Sequence, residues 1–153
     1  MGSRDKPIYS FSPKARPVER TEPGELVLFE TLDALGGHAD ETTPLESIDW
    51  SGVNPANGPL YVGGAEPGDS LVVEILDVRV GRRGAILVVP GHGALGNSLE
   101  FEAKLEIAEI GRGVARFGSL EIPVRPAGGT IGVAPGDGEY PTGVSGRHGG
   151  SLD

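Results

Sequence analysis

Four loop segments of this sequence carry side chains that could do chemistry. Residues 33–41 place three carboxylates and the imidazole of His38 around a diglycine. Oxygen and nitrogen donors of this kind can bind a divalent metal ion or hold a general base beside an acid. Asp33 is the stronger candidate, because it ends a predicted strand that would hold its carboxylate rigidly. A polar connecting loop explains the same residues, and the residues alone favour that simpler explanation.

The last of the four segments, residues 130–153, contains a second candidate histidine. His148 is followed by Gly149 and Gly150, and glycines allow a backbone to come within hydrogen-bond distance of a small ligand. Asp153, five residues further on, could orient the imidazole or bind a metal ion. A loose polar tail would produce the same pattern, because chain termini are commonly poorly ordered.

The other two segments are explained most simply as turns. Asn54 precedes Pro55, and its carboxamide could offer both a donor and an acceptor to an amide substrate. Asn-Pro and Asn-Gly are also common turn formers, so the turn is the simpler explanation. Residues 90–97 are glycine-rich but lack the Lys-Ser/Thr ending of a phosphate-binding loop, so we expect no nucleotide site there. His92, within that loop, is expected to be a turn residue.

Composition argues against several classes of function. The 153 residues carry a formal net charge of −9, which argues against nucleic acid because phosphate binding needs clustered basic side chains. The sequence has no run of about 18 apolar residues and no charged-then-apolar leader, so we expect no membrane span and predict a cytoplasmic location. The absence of cysteine excludes disulfides, thiolate metal ligands and a cysteine nucleophile within this chain.

Short apolar runs bounded by glycine and proline must position these loops, and they predict strands. Residues 23–34 and 67–78 are similar segments that begin with Pro, Gly and an acid. Pro presets φ for a turn, Gly takes a positive φ, and the acid can bond to local backbone before a strand begins. Residues 103–110 also suit a helix, but their alternation favours a strand. Strands are predicted at residues 26–29, 60–62, 71–76, 78–80, 85–89, 101–110, 113–117, 120–123 and 129–133.

Many short strands separated by turns indicate an all-β fold. The predicted architecture is a jelly-roll-like β-sandwich of antiparallel strands, which buries two apolar sheet faces against each other. Residues 1–20 are predicted to be an extended arm or edge strand, because they contain three prolines. Residues 21–135 then form the sandwich domain, and residues 136–153 form an active-site segment.

Five motifs follow one another along nearly the whole chain. They are residues 29–34 (FETLDA), 54–62 (NPANGPLYV), 64–69 (GAEPGD), 129–135 (GTIGVAP) and 148–153 (HGGSLD). These motifs, in their order and spacing, resemble those of the acetamidase/formamidase family. The resemblance implies a jelly-roll-like amino-terminal part and the hydrolysis of small linear amides to carboxylate and ammonia. Where that family usually has His-Gly-Gly-Asn-Met-Asp, this chain has Ser151-Leu152, a departure that bears on substrate preference.

The resemblance also implies roles for particular residues. The histidine and aspartate of the last motif would activate water or bind a metal ion, and the two glycine amides between them would lie near the substrate. A divalent metal ion fits the lack of any Ser-His-Asp or cysteine-based signature. The assigned site residues are His148, Asp153 and Asp33 as catalytic groups, Asn54, Gly149 and Gly150 as substrate-binding groups, and Asp33 and His38 as metal ligands.

Members of that family are longer than this chain, and the part missing here contains a Gly-Asp-x-His motif and a later acidic run. We therefore expect a small amide substrate, an oligomer, and a carboxy-terminal half supplied as a second chain or fragment, without which the enzyme is inactive. A truncated chain, a split enzyme and a cleaved precursor would each produce this arrangement. The competing hypothesis is a non-catalytic β-sandwich binding or assembly module, because a fold does not fix activity.

Overall fold

The backbone consists almost entirely of short β-strands. The computed structural model describes residues 2–37, 39–40, 42–93, 96–97 and 100–152, and helix within these ranges is limited to two 3₁₀ turns, Leu45–Ser47 and Trp50–Gly52. The predicted all-β fold class is confirmed. No helix among the described residues is long and apolar enough to cross a membrane. The strands are β1 (Pro7–Ile8), β2 (Ser10–Phe11), β3 (Glu19–Thr21), β4 (Ala56–Asn57), β5 (Leu60–Val62), β6 (Arg83–Val88), β7 (Lys104–Gly111), β8 (Val114–Phe117), β9 (Leu120–Pro123), β10 (Thr130–Gly132), β11 (Tyr140–Pro141) and β12 (Gly149–Ser151).

The chain divides into two compact units. The first contains the described residues of Met1–Gly37, Trp50–Val78 and Gly128–Asp153, and the second contains those of His38–Asp49 and Arg79–Ala127. Strands β6 to β9 belong to the second unit, and the other strands belong to the first. The domain boundaries and the jelly-roll topology inferred from the sequence stay predictions.

The second unit is built around an antiparallel meander in the order β6-β7-β8-β9. For residues 103–110, where a helix was the alternative, β7 confirms the predicted strand. Arg112 and Gly113 connect β7 to β8 with φ values of 51° and 76°. Two successive positive φ angles are typical of a type I′ turn, whose twist matches that of the flanking strands. This hairpin is therefore specified by residues close together in the sequence.

The first unit is joined by four two-stranded ladders that connect distant parts of the sequence. β1 pairs with β4, β2 with β11 and β10 with β12, all antiparallel, whereas β3 and β5 run parallel. Phe11 of β2 lies opposite Tyr140 of β11 in register. Phe11 is also buried. Among the described residues, the other buried apolar side chain is that of Ala108. The β2–β11 ladder therefore carries the buried aromatic side chain of this unit on β2, whereas both residues of β11 are exposed.

The two similar Pro-Gly segments form the turns that the sequence predicts. Their glycines have φ values of 87° and 104°, as the third position of a type II turn requires. In the first turn, the N–H of Glu25 donates to the carbonyl of Glu22, and the Glu25 carboxylate accepts from the Glu22 N–H. In the second turn, Asp69 makes the same two bonds with Glu66. The predicted turn chemistry is confirmed in both copies.

The strands predicted after these turns do not form. The described residues 26–28, 71–76 and 78–80 belong to no strand. The prediction is wrong for these runs because local β-propensity does not supply the neighbouring strand that must accept the backbone hydrogen bonds. Their side chains remain largely in contact with solvent, with Leu26 at 81% and Val72 at 89% exposure.

Candidate active site

His148 lies in a tight turn that leads into β12. The N–H of Gly146 donates to the carbonyl of Gly149 over 2.8 Å, and the N–H of Gly149 donates back to the carbonyl of Gly146 over 3.0 Å. This reciprocal pair closes a four-residue turn with His148 in its third position. The N–H of Val133 donates to the carbonyl of His148 over 2.8 Å. Hydrogen bonds on both sides therefore fix the backbone that carries the imidazole.

Two aromatic rings hold the imidazole of His148. The Tyr140 ring stacks on it with centroids 4.7 Å apart and planes 22° apart, and the Phe11 ring contacts it at 5.4 Å and 50°. Because Tyr140 and Phe11 are cross-strand partners, a single ladder presents both rings. Gly146 makes room on another side, since a Cβ at that position would lie 2.8 Å from Nδ1 of His148. The imidazole is thereby restricted to one orientation.

The Nε2 atom of His148 is the most unusual polar atom of this site. His148 is only 8% exposed, and its Nε2 is buried without a hydrogen-bond partner among the described residues. A buried polar atom left without a partner costs about 1–3 kcal/mol, so native proteins retain few of them. The Nε2 atom of His148 therefore has hydrogen-bonding capacity that the described residues leave unused.

The glycine pair that follows the histidine is required by close packing. Gly149 and Gly150 have φ values of 99° and 111°, a region that L side chains rarely adopt. A Cβ on Gly149 would overlap the carbonyl oxygen of Ile131, and one on Gly150 would overlap that of Val144. The N–H of Gly149 is already bonded within the turn, so its predicted contact with substrate would have to replace that bond.

Asn54 lies beside the segment that carries the histidine. Its N–H donates to the carbonyl of Ala34 over 2.7 Å, and a Cβ on Gly143 would lie 3.1 Å from its Nδ2. Asn54 has a φ of 56°, a left-handed conformation that asparagine adopts more readily than other non-glycine residues. The structure thus brings one predicted substrate-binding residue next to the residues that follow β11.

The carboxylate of Asp33 is engaged by its own loop. Its Oδ1 accepts hydrogen bonds from the N–H groups of Leu35 and Gly37, each over 2.9 Å. A carboxylate that bonds to backbone two and four residues ahead stabilises a turn, which is the simpler of the two explanations drawn from the sequence. The loop adjoins Asn54 through the carbonyl of Ala34. A catalytic or metal-binding role for Asp33 stays a prediction.

Asp40, another carboxylate of residues 33–41, is also committed to its own turn. Its Oδ1 accepts from the hydroxyl and the N–H of Thr42, each over 2.8 Å, and from the hydroxyl of Thr43 over 3.1 Å. The hydroxyl of Thr42, followed by its N–H and the hydroxyl of Thr43, lowers the pKa of Asp40 below its ordinary value.

We expect the Asp40 turn to weaken at acidic pH. A carboxyl group whose pKa is lower in the folded chain than in the unfolded chain stabilises the fold at pH values above its ordinary pKa. This stabilisation is lost as the pH falls through the lower pKa of the folded chain. An NMR titration of the Asp40 carboxyl carbon should give a pKa below that of a free aspartate. Thr42→Ala should raise this pKa and Thr42→Ser should preserve it. Equal titration curves for both variants would contradict the assignment of the shift to the hydroxyl.

The sequence is similar to a known protein family over most of its length. The sequence profile described as the Acetamidase/Formamidase family matches residues 4–137. The chain belongs to this family.

Solved structures extend this similarity to the fold. The acetamidase of Bacillus halodurans is 38% identical with a TM-score of 0.93, and the match covers 99% of this chain and 52% of that one. The recombinant predicted acetamidase/formamidase of Thermoanaerobacter tengcongensis is 35% identical with a TM-score of 0.92, covering 99% and 50%. The formamidase of Methylophilus methylotrophus is 38% identical over 64 residues, which are 40% of this chain and 16% of that protein. The chain therefore spans about half the length of the two solved structures.

Two of the predicted site residues, His38 and Asp153, lie outside the described residues. Within the described ranges, no group of three His, Cys, Asp or Glu side chains is arranged to hold a metal ion. The donors that are described, such as Asp33 and Asp40, bond to their own loops instead. The divalent ion inferred from the sequence stays a prediction.

The two aromatic residues that hold His148, Tyr140 and Phe11, are not among the site residues predicted from the sequence. Tyr140 lies eight residues before the histidine, and an aromatic residue in a glycine-rich segment was a signal that could have found it. Phe11 is far away in the sequence, and only the β2–β11 pairing brings it to the imidazole. No local pattern predicts that contact.

Proposed function

We propose that this chain takes part in the hydrolysis of small linear amides, of the formamide and acetamide type, to carboxylate and ammonia. Membership of the acetamidase/formamidase family supports the reaction class. The names of its relatives, acetamidase and formamidase, support the substrate class. The observation that carries the proposal is the buried Nε2 of His148, held in place and without a partner among the described residues.

His148 can act as the acid–base group of this reaction. Its Nε2 accepts a proton from a water molecule as the water oxygen attacks the amide carbonyl carbon. The tetrahedral intermediate then collapses, the C–N bond breaks, and the proton passes to the departing nitrogen so that ammonia leaves. Stacking on Tyr140 keeps the ring in one orientation through both transfers. Positioned proton transfer of this kind contributes roughly 10²–10⁴-fold to rate.

Asn54 is the substrate-binding residue that this proposal favours. A carboxamide can donate to the carbonyl oxygen of an amide and accept from its NH₂ group, which matches both ends of the substrate. Its hydrogen bond to Ala34 and its position against Gly143 hold the backbone in a left-handed conformation. A preorganised donor needs little reorganisation when charge develops on the carbonyl oxygen.

The proposal includes a second polypeptide. Because the match covers about half of the Bacillus halodurans acetamidase, we propose that a carboxy-terminal half supplies further groups and that activity requires it.

The competing proposal is a non-catalytic binding or assembly module. The largely exposed apolar side chains of Leu26 and Val72 favour it, because exposed apolar surface suits association and plays no part in the chemistry proposed for His148.

Ammonia release from formamide and acetamide tests these two proposals. We would assay this chain alone and after co-expression with the half of the Bacillus halodurans acetamidase that lies beyond the match. Ammonia release by the co-expressed pair, and not by either part, is the expected result. Urea serves as a control, because it is an amide outside the proposed class. A stable, folded pair that releases no ammonia from either amide would favour the assembly module.

A further inference from the structure

We propose that residues 71–76 form a docking strand for a second polypeptide that corresponds to the half of the acetamidase chain not covered by this one. This inference names the partner surface of the proposed function, and it rests on that proposal only for the identity of the partner. The name "docking strand" is used below for residues 71–76.

The docking strand is apolar and exposed on both of its faces. Its sequence is Leu-Val-Val-Glu-Ile-Leu, rich in the β-branched residues that favour strands. In an extended chain Val72 and Leu76 lie on one face and Ile75 on the other, and they are 89%, 67% and 65% exposed. Contiguous exposed apolar surface is typical of sites at which proteins bind one another.

The preceding turn prepares the docking strand for pairing. The Glu66–Asp69 turn is closed by two hydrogen bonds and a glycine of φ 104°, so the chain leaves it in a defined direction. The docking strand then runs on without belonging to any ladder of the described residues. A strand supplied by a partner would form main-chain hydrogen bonds with the N–H and C=O groups of the docking strand. Alternate side chains of the docking strand would then pack against the partner's surface.

The comparison with solved structures indicates which partner this is. The backbone of this chain matches one half of the Bacillus halodurans acetamidase over 99% of its own length with a TM-score of 0.93. The remaining half of that protein belongs to the same molecule and is the polypeptide available to cover such a surface.

Charge argues against a second copy of this chain as the occupant. Residues 69–78 contain three acidic and no basic residues, and the whole chain carries a net charge of −9. Two docking strands paired with each other would bring like charges together, which destabilises a sheet. A partner with lysine or arginine near its receiving strand would fit better.

Co-purification tests the inference. This chain carries an affinity tag and is co-expressed with the uncovered half of the Bacillus halodurans acetamidase. We expect the second half to co-purify, and hydrogen exchange of the docking-strand amides to slow by at least tenfold relative to the chain alone. The double variant Val72→Lys/Ile75→Lys should reduce co-purification at least tenfold. Leu120→Lys, which charges an exposed apolar position of β9, should not.

Three outcomes would overturn the inference. They are failure of the second half to co-purify, full retention of the complex by the double variant, and dimerisation of this chain alone that the double variant abolishes. The last would assign the surface to a second copy. Because these measurements do not involve turnover, a pair that binds but releases no ammonia would refute the proposed function while leaving the docking strand supported.

Discussion

Gly150→Ala is expected to destabilise this protein by about 3 kcal/mol or more. The residue has a φ of 111°, and an added Cβ would overlap the carbonyl oxygen of Val144. A strained φ costs of order 1–3 kcal/mol, and an overlap with backbone adds to it because backbone cannot change rotamer. Urea unfolding followed by circular dichroism measures the loss. A fall of this size is a large part of the 5–15 kcal/mol that stabilises a typical domain.

Gly136→Ala provides the matched control. Gly136 lies in the same unit, has no left-handed φ, and an added Cβ there meets no atom within 4 Å. We expect the free energy of unfolding to change by less than about 1 kcal/mol, and in the stabilising direction, because alanine restricts the unfolded chain. Equal unfolding midpoints for Gly150→Ala and Gly136→Ala would show that β12 does not pack as described.

His148→Phe is expected to abolish amide hydrolysis without unfolding the protein. The substitution keeps an aromatic ring against Tyr140 and Phe11 but removes the buried Nε2. Loss of the acid–base group should lower kcat/KM by roughly 10²–10⁴-fold. Removal of a polar atom without a partner relieves its desolvation cost, so the free energy of unfolding should stay within about 1 kcal/mol of the parent or rise. Initial rates of ammonia release by the co-expressed pair measure the first effect, and urea unfolding measures the second.

Tyr140→Phe separates positioning from chemistry. The variant retains the ring that stacks on the imidazole and loses only the phenol oxygen, so we expect kcat/KM to change less than tenfold. His92→Ala, outside the proposed site, should leave turnover unchanged. If His148→Phe kept its activity but lost stability, the histidine would be a structural residue of the β2–β11 ladder, and the proposed mechanism would be refuted.

The sequence predicted those parts of the fold whose causes are local. The paired Pro-Gly turns follow from residues within four positions of one another, and the strands on either side of Arg112 follow from their own alternation. The run 71–76 is richer in β-branched residues than β7, yet it pairs with no strand among the described residues. Pairing rather than propensity therefore decides whether a strand forms. A similar distinction applies to the site. His148 was identified from its own motif, whereas its contact with Phe11 depends on a pairing that no local pattern encodes.

The β2–β11 ladder also determines when the site can form during synthesis. Phe11 and Tyr140 are separated by about 130 residues, and a ribosome adds roughly 5–20 residues per second. The amino-terminal strand must therefore wait roughly 6–26 s for its partner to emerge, whereas each hairpin of the β6–β9 meander can close soon after its own turn is made. The imidazole pocket is thus a late product of folding. Its assembly is exposed to competition from any other strand that reaches β2 first.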